Sequence, residues 1–150
     1  MKRVSFLLAI LLIAATCFAQ TANRGAGQNP GFPRVVARLN LLNRSNQVGP
    51  ETIFVPKSAG VFRLSAAIVC TVANDLEGQW DVAAQWTNEV GLNGGTALAQ
   101  VPTNFVSSSY NFLPPLVLNA SKGGPITISV DGSNTAGSQY NAYIILEQLE

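Results

Sequence analysis

An all-β fold, an antiparallel β-sandwich carried behind an export signal, is what the sequence predicts, and three observations predict it. Apolar residues recur at every second position in several separate runs, the period of a strand with one buried face. The segments between those runs are short and rich in Gly, Asn, Ser and Pro, the residues that build turns. Beyond the first nineteen residues, no stretch sustains helical spacing.

Those nineteen residues read as a secretory signal peptide. Lys2 and Arg3 precede an uncharged apolar run from Phe6 to Ala15, and Cys17-Phe18-Ala19 supplies small residues at a cleavage site after Ala19. The run falls short of the roughly 20 apolar residues that a membrane-spanning helix needs, so it is an address and not an anchor. A lipoprotein signal with Cys17 lipidated is the competing reading, and Ala14-Ala15-Thr16 matches it poorly. The expected organisation is signal peptide 1–19, flexible Gly/Asn/Pro-rich leader 20–33 and one β-sandwich domain 34–150, with no membrane span after cleavage.

The domain's first strand is expected at Val35 to Leu42, where Val35, Ala37, Leu39 and Leu41 form a wholly apolar row. After a Lys57-Ser58-Ala59-Gly60 turn comes the clearest strand. Phe62, Leu64, Ala66, Ile68, Cys70 and Val72 lie on its core row, while Val61, Arg63, Ser65, Ala67, Val69 and Thr71 face outward. Trp80, Val82, Ala84 and Trp86 define a second long strand with both tryptophans on the buried row. Asn93-Gly94-Gly95 reads as a tight turn. From Thr96 to Asn119, Pro102, Pro114 and Pro115 restrict the chain to short or edge strands. Ile126, Ile128 and Val130 alternate up to an Asp131-Gly132 turn. The closing strand, Tyr140 to Leu149, is apolar on both sides, as a central and covered strand is.

The stretch Phe54-Val55-Pro56-Lys57-Ser58-Ala59-Gly60-Val61-Phe62-Arg63-Leu64 resembles the "F-x-P-x-x-G-x-Y-x-F" lead-in to a core strand of the C1q and tumour-necrosis-factor-like jelly rolls. Leu118-Asn119-Ala120-Ser121-Lys122-Gly123-Gly124 is similar to that family's "L-x-x-G-D" turn before its last strands. The resemblance covers most of Val35 to Leu149. It implies a C1q/TNF-like jelly-roll topology, of the kind found in bacterial and phage surface proteins, and a compact homotrimer.

Chemistry-bearing residues are few. Histidine is absent, which removes the commonest general base and metal ligand. Cys70, the lone cysteine after cleavage, sits in an apolar row and reads as a small core hydrophobe, so no internal disulfide is available. Asp75, Glu77, Asp81 and Glu89 read as solvated loop and surface charges, not as a facing catalytic pair. Asn43-Arg44-Ser45 and Asn119-Ala120-Ser121 are formal glycosylation acceptors. No catalytic residue, metal site or cofactor is expected.

Charged residues make up only 11% of the chain, so the surface must be polar through amides and hydroxyls. Loss of Lys2 and Arg3 takes the net charge from +1 to about −1, which offers nothing for electrostatic capture of nucleic acid. The expectation is a secreted, extracellular or periplasmic, non-enzymatic structural or binding module that self-associates, with Val61, Val69 and Ile145 as outward contacts. The alternative is a carbohydrate-binding domain acting at a cell surface or on a polymer, with Tyr110 and Tyr140 as glycan-stacking candidates.

Overall fold

A computed structural model of the chain describes residues 33–107 and 109–149. The expected signal with its cleavage at Ala19, Cys17, and the leader up to residue 32 lie outside the described residues. Eight strands follow one another: β1 (Arg34–Arg44), β2 (Val48–Phe54), β3 (Gly60–Val72), β4 (Gln79–Thr87), β5 (Asn93–Pro102), β6 (Leu116–Ala120), β7 (Ile126–Ser133) and β8 (Gln139–Gln148). They form two four-stranded antiparallel sheets in the orders β1-β8-β3-β6 and β2-β7-β4-β5. Consecutive strands lie in opposite sheets at every connection except the β4–β5 hairpin. This is a jelly-roll sandwich, as the sequence predicts.

The alternation written into β3 and β4 builds the core. Phe62, Leu64, Ala66, Ile68 and Cys70 from β3 meet Trp80, Val82 and Ala84 from β4, all buried. From β8, Tyr140, Ala142, Ile144 and Leu146 complete it. The Trp80 and Tyr140 rings lie 4.6 Å apart at 48°, and the Trp80 indole N–H donates to Ser138 Oγ at 3.0 Å. Phe62 meets Phe54 at 5.7 Å near one end of the sandwich.

Several expectations need correction. β2 carries Gly49 and Pro50 and shows no alternation, yet it pairs with β7, because an edge strand tolerates proline at the register shift between Val48 and Glu51. Asn93-Gly94-Gly95 is no turn: all three residues pair with β4, and the hairpin turns at Asn88–Leu92, where Gly91 has φ 80°. Asn88 holds that turn, its Oδ1 accepting from the Val90 and Leu92 amides. Asp131-Gly132 likewise remains in β7, opposite Asp81 and Trp80, and the chain turns later, with positive φ at Asn134 and Gly137. Both glycines serve a tryptophan instead. A Cβ on Gly132 would fall 2.7 Å from the Trp80 ring, and one on Gly94 would fall 2.5 Å from the Trp86 ring.

Other corrections concern which residues face the core. Val72 is exposed, because the β3–β8 register shifts after Cys70. Val35 leaves the core row at a similar shift in β1, and Val36 packs on the core there instead. Val69 is buried, since the β5–β6 connection pairs with β3 on both sides of it, at Ile68 and Cys70. Trp86 is only part-buried, because the sandwich ends beside it. β8 is central as expected but covered on one face only, leaving Ile145 exposed.

Burial pushes the Tyr140 phenol up to about 12, with the Arg44 charge opposing, and the hydroxyl donates to the Asn46 carbonyl at 3.1 Å. An ordinary tyrosine titrates near 10, so between about pH 10 and 12 the unfolded chain gives up this proton first. Stability is therefore full below that window and falls through it, by about 2–3 kcal/mol from this group. Tyr140→Phe is expected to remove that part of the alkaline slope while costing about 1 kcal/mol at neutral pH. Urea unfolding at pH values from about 7 to 12 measures both.

Candidate functional site

The β5–β6 connection, described over residues 103–107 and 109–115, exposes a cluster of apolar side chains near one edge of the sandwich. Its backbone is held by hydrogen bonds to neighbouring elements. Thr103 N–H donates to the Gly78 carbonyl, and Thr103 Oγ1 donates to the Leu76 carbonyl. Ser107 N–H donates to the Cys70 carbonyl at 3.1 Å. Asn111 exchanges both backbone bonds with Ile68, at 2.8 and 2.9 Å, and Leu113 N–H reaches the Leu98 carbonyl at 3.1 Å.

With the backbone so engaged, the apolar side chains turn to solvent. Phe112 is 72% exposed, Phe105 51%, and Val106, Tyr110 and Leu113 are exposed with them. Phe105, Phe112 and Leu113 line an open cleft of about 470 Å³ together with Gln79, Gln100 and Pro102; none of these side chains is charged, and the Asp81 carboxylate accepts from Gln79 beside them. Exposed phenyl groups converging on one cleft are the usual mark of a contact surface for another macromolecule.

The outer face of the β1-β8-β3-β6 sheet adjoins this flank through Tyr110, whose ring meets Tyr143 edge-on at 5.3 Å and 75°. The Tyr143 phenol, hydrogen-bonded to it, raises the Tyr110 titration above its ordinary value, with burial adding to the effect. Ser65, Ala67, Tyr143 and Ile145 form an uncharged centre on this face, in register across β3 and β8. Arg38 stands beside Ile145 on β1. Arg63 Nε donates to Glu147 Oε2 at 2.6 Å, a bond that raises the arginine's pKa and lowers the carboxyl's. Such a surface pair adds little stability.

The sequence-predicted candidates are scattered. Tyr140 is a correction: its side chain is wholly buried beside Trp80 and cannot present a face to a glycan. Tyr110 is 41% exposed and lies against Tyr143, on the face of β8 opposite to the one from which Tyr140 enters the core. Cys70 is buried with its thiol on the Val72 carbonyl at 3.2 Å, and burial pushes its pKa up, so the reactive thiolate is disfavoured.

Asp75, Glu77 and Glu89 are exposed, in connections or at a hairpin. Asp81 and Asp131 are cross-strand partners, which the sequence reading missed because it placed Asp131 in a turn. Each is engaged by a neighbour: Gln79 Nε2 donates to both Asp81 oxygens and Ser129 Oγ to Asp131 Oδ2. Among the described residues, no three of Asp, Glu and Cys gather as a metal-binding group, and no helix is long and apolar enough to cross a membrane.

No family model matches the sequence, and no curated protein matches it. Among solved structures, the chain is similar to the Clostridium thermocellum N-terminal endo-1,4-β-D-xylanase 10B, solved as its CBM22-1 and GH10 modules complexed with xylohexaose. That likeness has a TM-score of 0.38 and 8% identity, over 83% of this chain and 25% of the xylanase chain. The chain thus spans about a quarter of that protein's solved length. It is also similar to the Eiger TNF of S. frugiperda, with a TM-score of 0.37 and 13% identity, over 79% of this chain and 90% of that one. Both likenesses are too loose to carry an argument about function.

Proposed function

We propose that this chain is an exported, non-enzymatic jelly-roll module of C1q/TNF-like type that works by associating with copies of itself. The observation that carries the reading is the exposed apolar flank of the β5–β6 connection, centred on Phe105, Phe112 and Leu113. The side chains that line that cleft are themselves uncharged. Identical copies with a net charge near zero meet little mutual repulsion, and low net charge favours association. The uncharged centre of the neighbouring sheet face around Ala67, Tyr143 and Ile145 is a surface that such a flank can cover. A flank that meets a different surface of the next copy makes a heterologous contact, and where the rotation between copies closes, such contacts form rings, a homotrimer being the smallest.

Export rests on the residue pattern of positions 1–19 and places the module outside the cytoplasm, where a core with a single buried thiol faces no disulfide exchange of its own. Light scattering over a micromolar concentration series tests the association. A mass that is a multiple of the single chain is expected, and a single-chain mass at every concentration would remove the reading.

A further inference from the structure

Where β1 and β3 begin and β2 and β8 end, the strand registers bring a basic side chain onto the inner row of a sheet. Arg34 lies directly opposite Gln148 in the β1–β8 ladder, and Gln148 lies directly opposite Phe62 in the β3–β8 ladder. Residues paired in this way project from the same face of a sheet. Phe62 is buried in the core, so Arg34 stands on the core-facing side at the end of the sandwich, where its position is exposed. From the opposite sheet comes Phe54, the last residue of β2, half-buried with its ring 5.7 Å from that of Phe62.

A pocket of about 350 Å³ opens between these two sheet ends. Val36 and Phe54, both half-buried against the core, give it an apolar wall over Phe62, while Arg34 and Lys57 bring two positive charges to it. Its frame is held by backbone bonds on either side. The Gly123 N–H donates to the Pro56 carbonyl at 2.8 Å, next to Lys57, and the Leu149 N–H donates to the Val61 carbonyl at 2.8 Å. Among the described residues neither Arg34 nor Lys57 forms an ion pair, and no carboxylate lines the pocket. Glu147, beside Gln148 in β8, projects from the outer face instead and is taken by Arg63.

This combination selects a ligand class. Two like charges on a cleft with apolar walls focus the field and concentrate counterions there, so the ligand is an anion. An arginine guanidinium matches a carboxylate with two parallel hydrogen bonds. A bare inorganic anion would leave the Phe54 and Val36 surface in water, and a wholly apolar ligand would leave both cations without a counterion. The volume lies at the small end of the range for ligand sites, which suits one ring or a short acyl chain. We propose that this pocket binds a small carboxylate with a compact apolar body, the carboxylate drawn to Arg34 and Lys57 and the body lying against Phe54. The pocket is separate from the self-association flank, which is bonded to β3 from Ile68 onward, about 20 Å along the strand from Phe62.

The test is a titration of the purified protein with phenylacetate and hexanoate to about 20 mM, read by the ring resonances of Phe54, with those of Phe112 as the control. At least one of the two is expected to shift Phe54 saturably and leave Phe112 in place. Phenylacetamide, which keeps the body and loses the charge, and acetate, which keeps the charge and loses the body, are each expected to bind at least about tenfold more weakly. Arg34→Gln with Lys57→Gln, both at exposed positions, should weaken binding about tenfold or more with an unchanged melting temperature, and about 0.5 M salt should weaken it as well. The proposal is overturned if neither carboxylate moves Phe54, if Phe112 shifts in parallel, if phenylacetamide or acetate binds as tightly, or if the double variant binds like the parent. Replacing Phe105 and Phe112 by serine is expected to leave carboxylate affinity unchanged, so loss of the self-association reading does not remove this one.

Discussion

Trp80→Ala is expected to destabilise the domain by about 3–5 kcal/mol, the range for emptying a large aromatic site in a core. The indole is wholly buried, touches the Tyr140 ring at 4.6 Å and satisfies its N–H on Ser138. Gly132 directly beneath it cannot collapse into the space, because it has no side chain to move, and β7 is held in register on both sides by β2 and β4. Domains of this size have about 5–15 kcal/mol of stability in all, so the substitution removes a large share. With no disulfide to compensate among the described residues, the melting temperature should fall by about 10–20 °C. Thermal and urea unfolding measure this, and a loss below about 1 kcal/mol would show that the indole is not the centre of the core.

Replacing Phe105 and Phe112 together by serine should act on association and leave folding alone. Both side chains are more than half exposed in the single chain, so the folded state loses little when they go. In an interface each would bury an aromatic surface worth about 1.5–3 kcal/mol. The pair together should raise the dissociation constant by about a hundredfold or more. Sedimentation of the variant at the concentration where the parent is oligomeric is expected to give a single-chain mass, with an unchanged melt of the dilute protein. An oligomer that survives the double substitution would place the contact elsewhere.

The fold was legible wherever burial is one-sided and uninterrupted. The rows of β3 and β4 announced themselves, because Phe62 to Ile68 and Trp80 to Ala84 alternate without a break. What was hidden is tertiary. Gly94 and Gly132 carry the local chemistry of turns, and only the positions of Trp86 and Trp80 across the sheet explain why glycine stands in an extended strand there. β2 was hidden because an edge strand with Gly49 and Pro50 satisfies neither the alternation nor the propensity of a core strand.

The candidate surfaces were the least legible part. Tyr110 and Tyr140 are indistinguishable as letters, yet one is exposed and the other sealed beneath Asn46. The apolar flank lies in a Pro- and Ser-rich stretch that reads as short or edge strands but falls between β5 and β6, and its exposure follows from backbone bonds to Ile68, Cys70 and Leu98 that no local pattern encodes. One signal was available: Phe105, Val106, Phe112 and Leu113 crowd a segment with no strand period to bury them.

The most direct test of the account is a photo-crosslink from the flank itself. With benzoylphenylalanine in place of Phe112 and equal amounts of ¹⁴N- and ¹⁵N-labelled protein, irradiation is predicted to give mixed-isotope adducts that join residues 103–115 of one copy to a second copy. Adducts confined to a single chain, or mixed adducts formed only away from this flank, would contradict it.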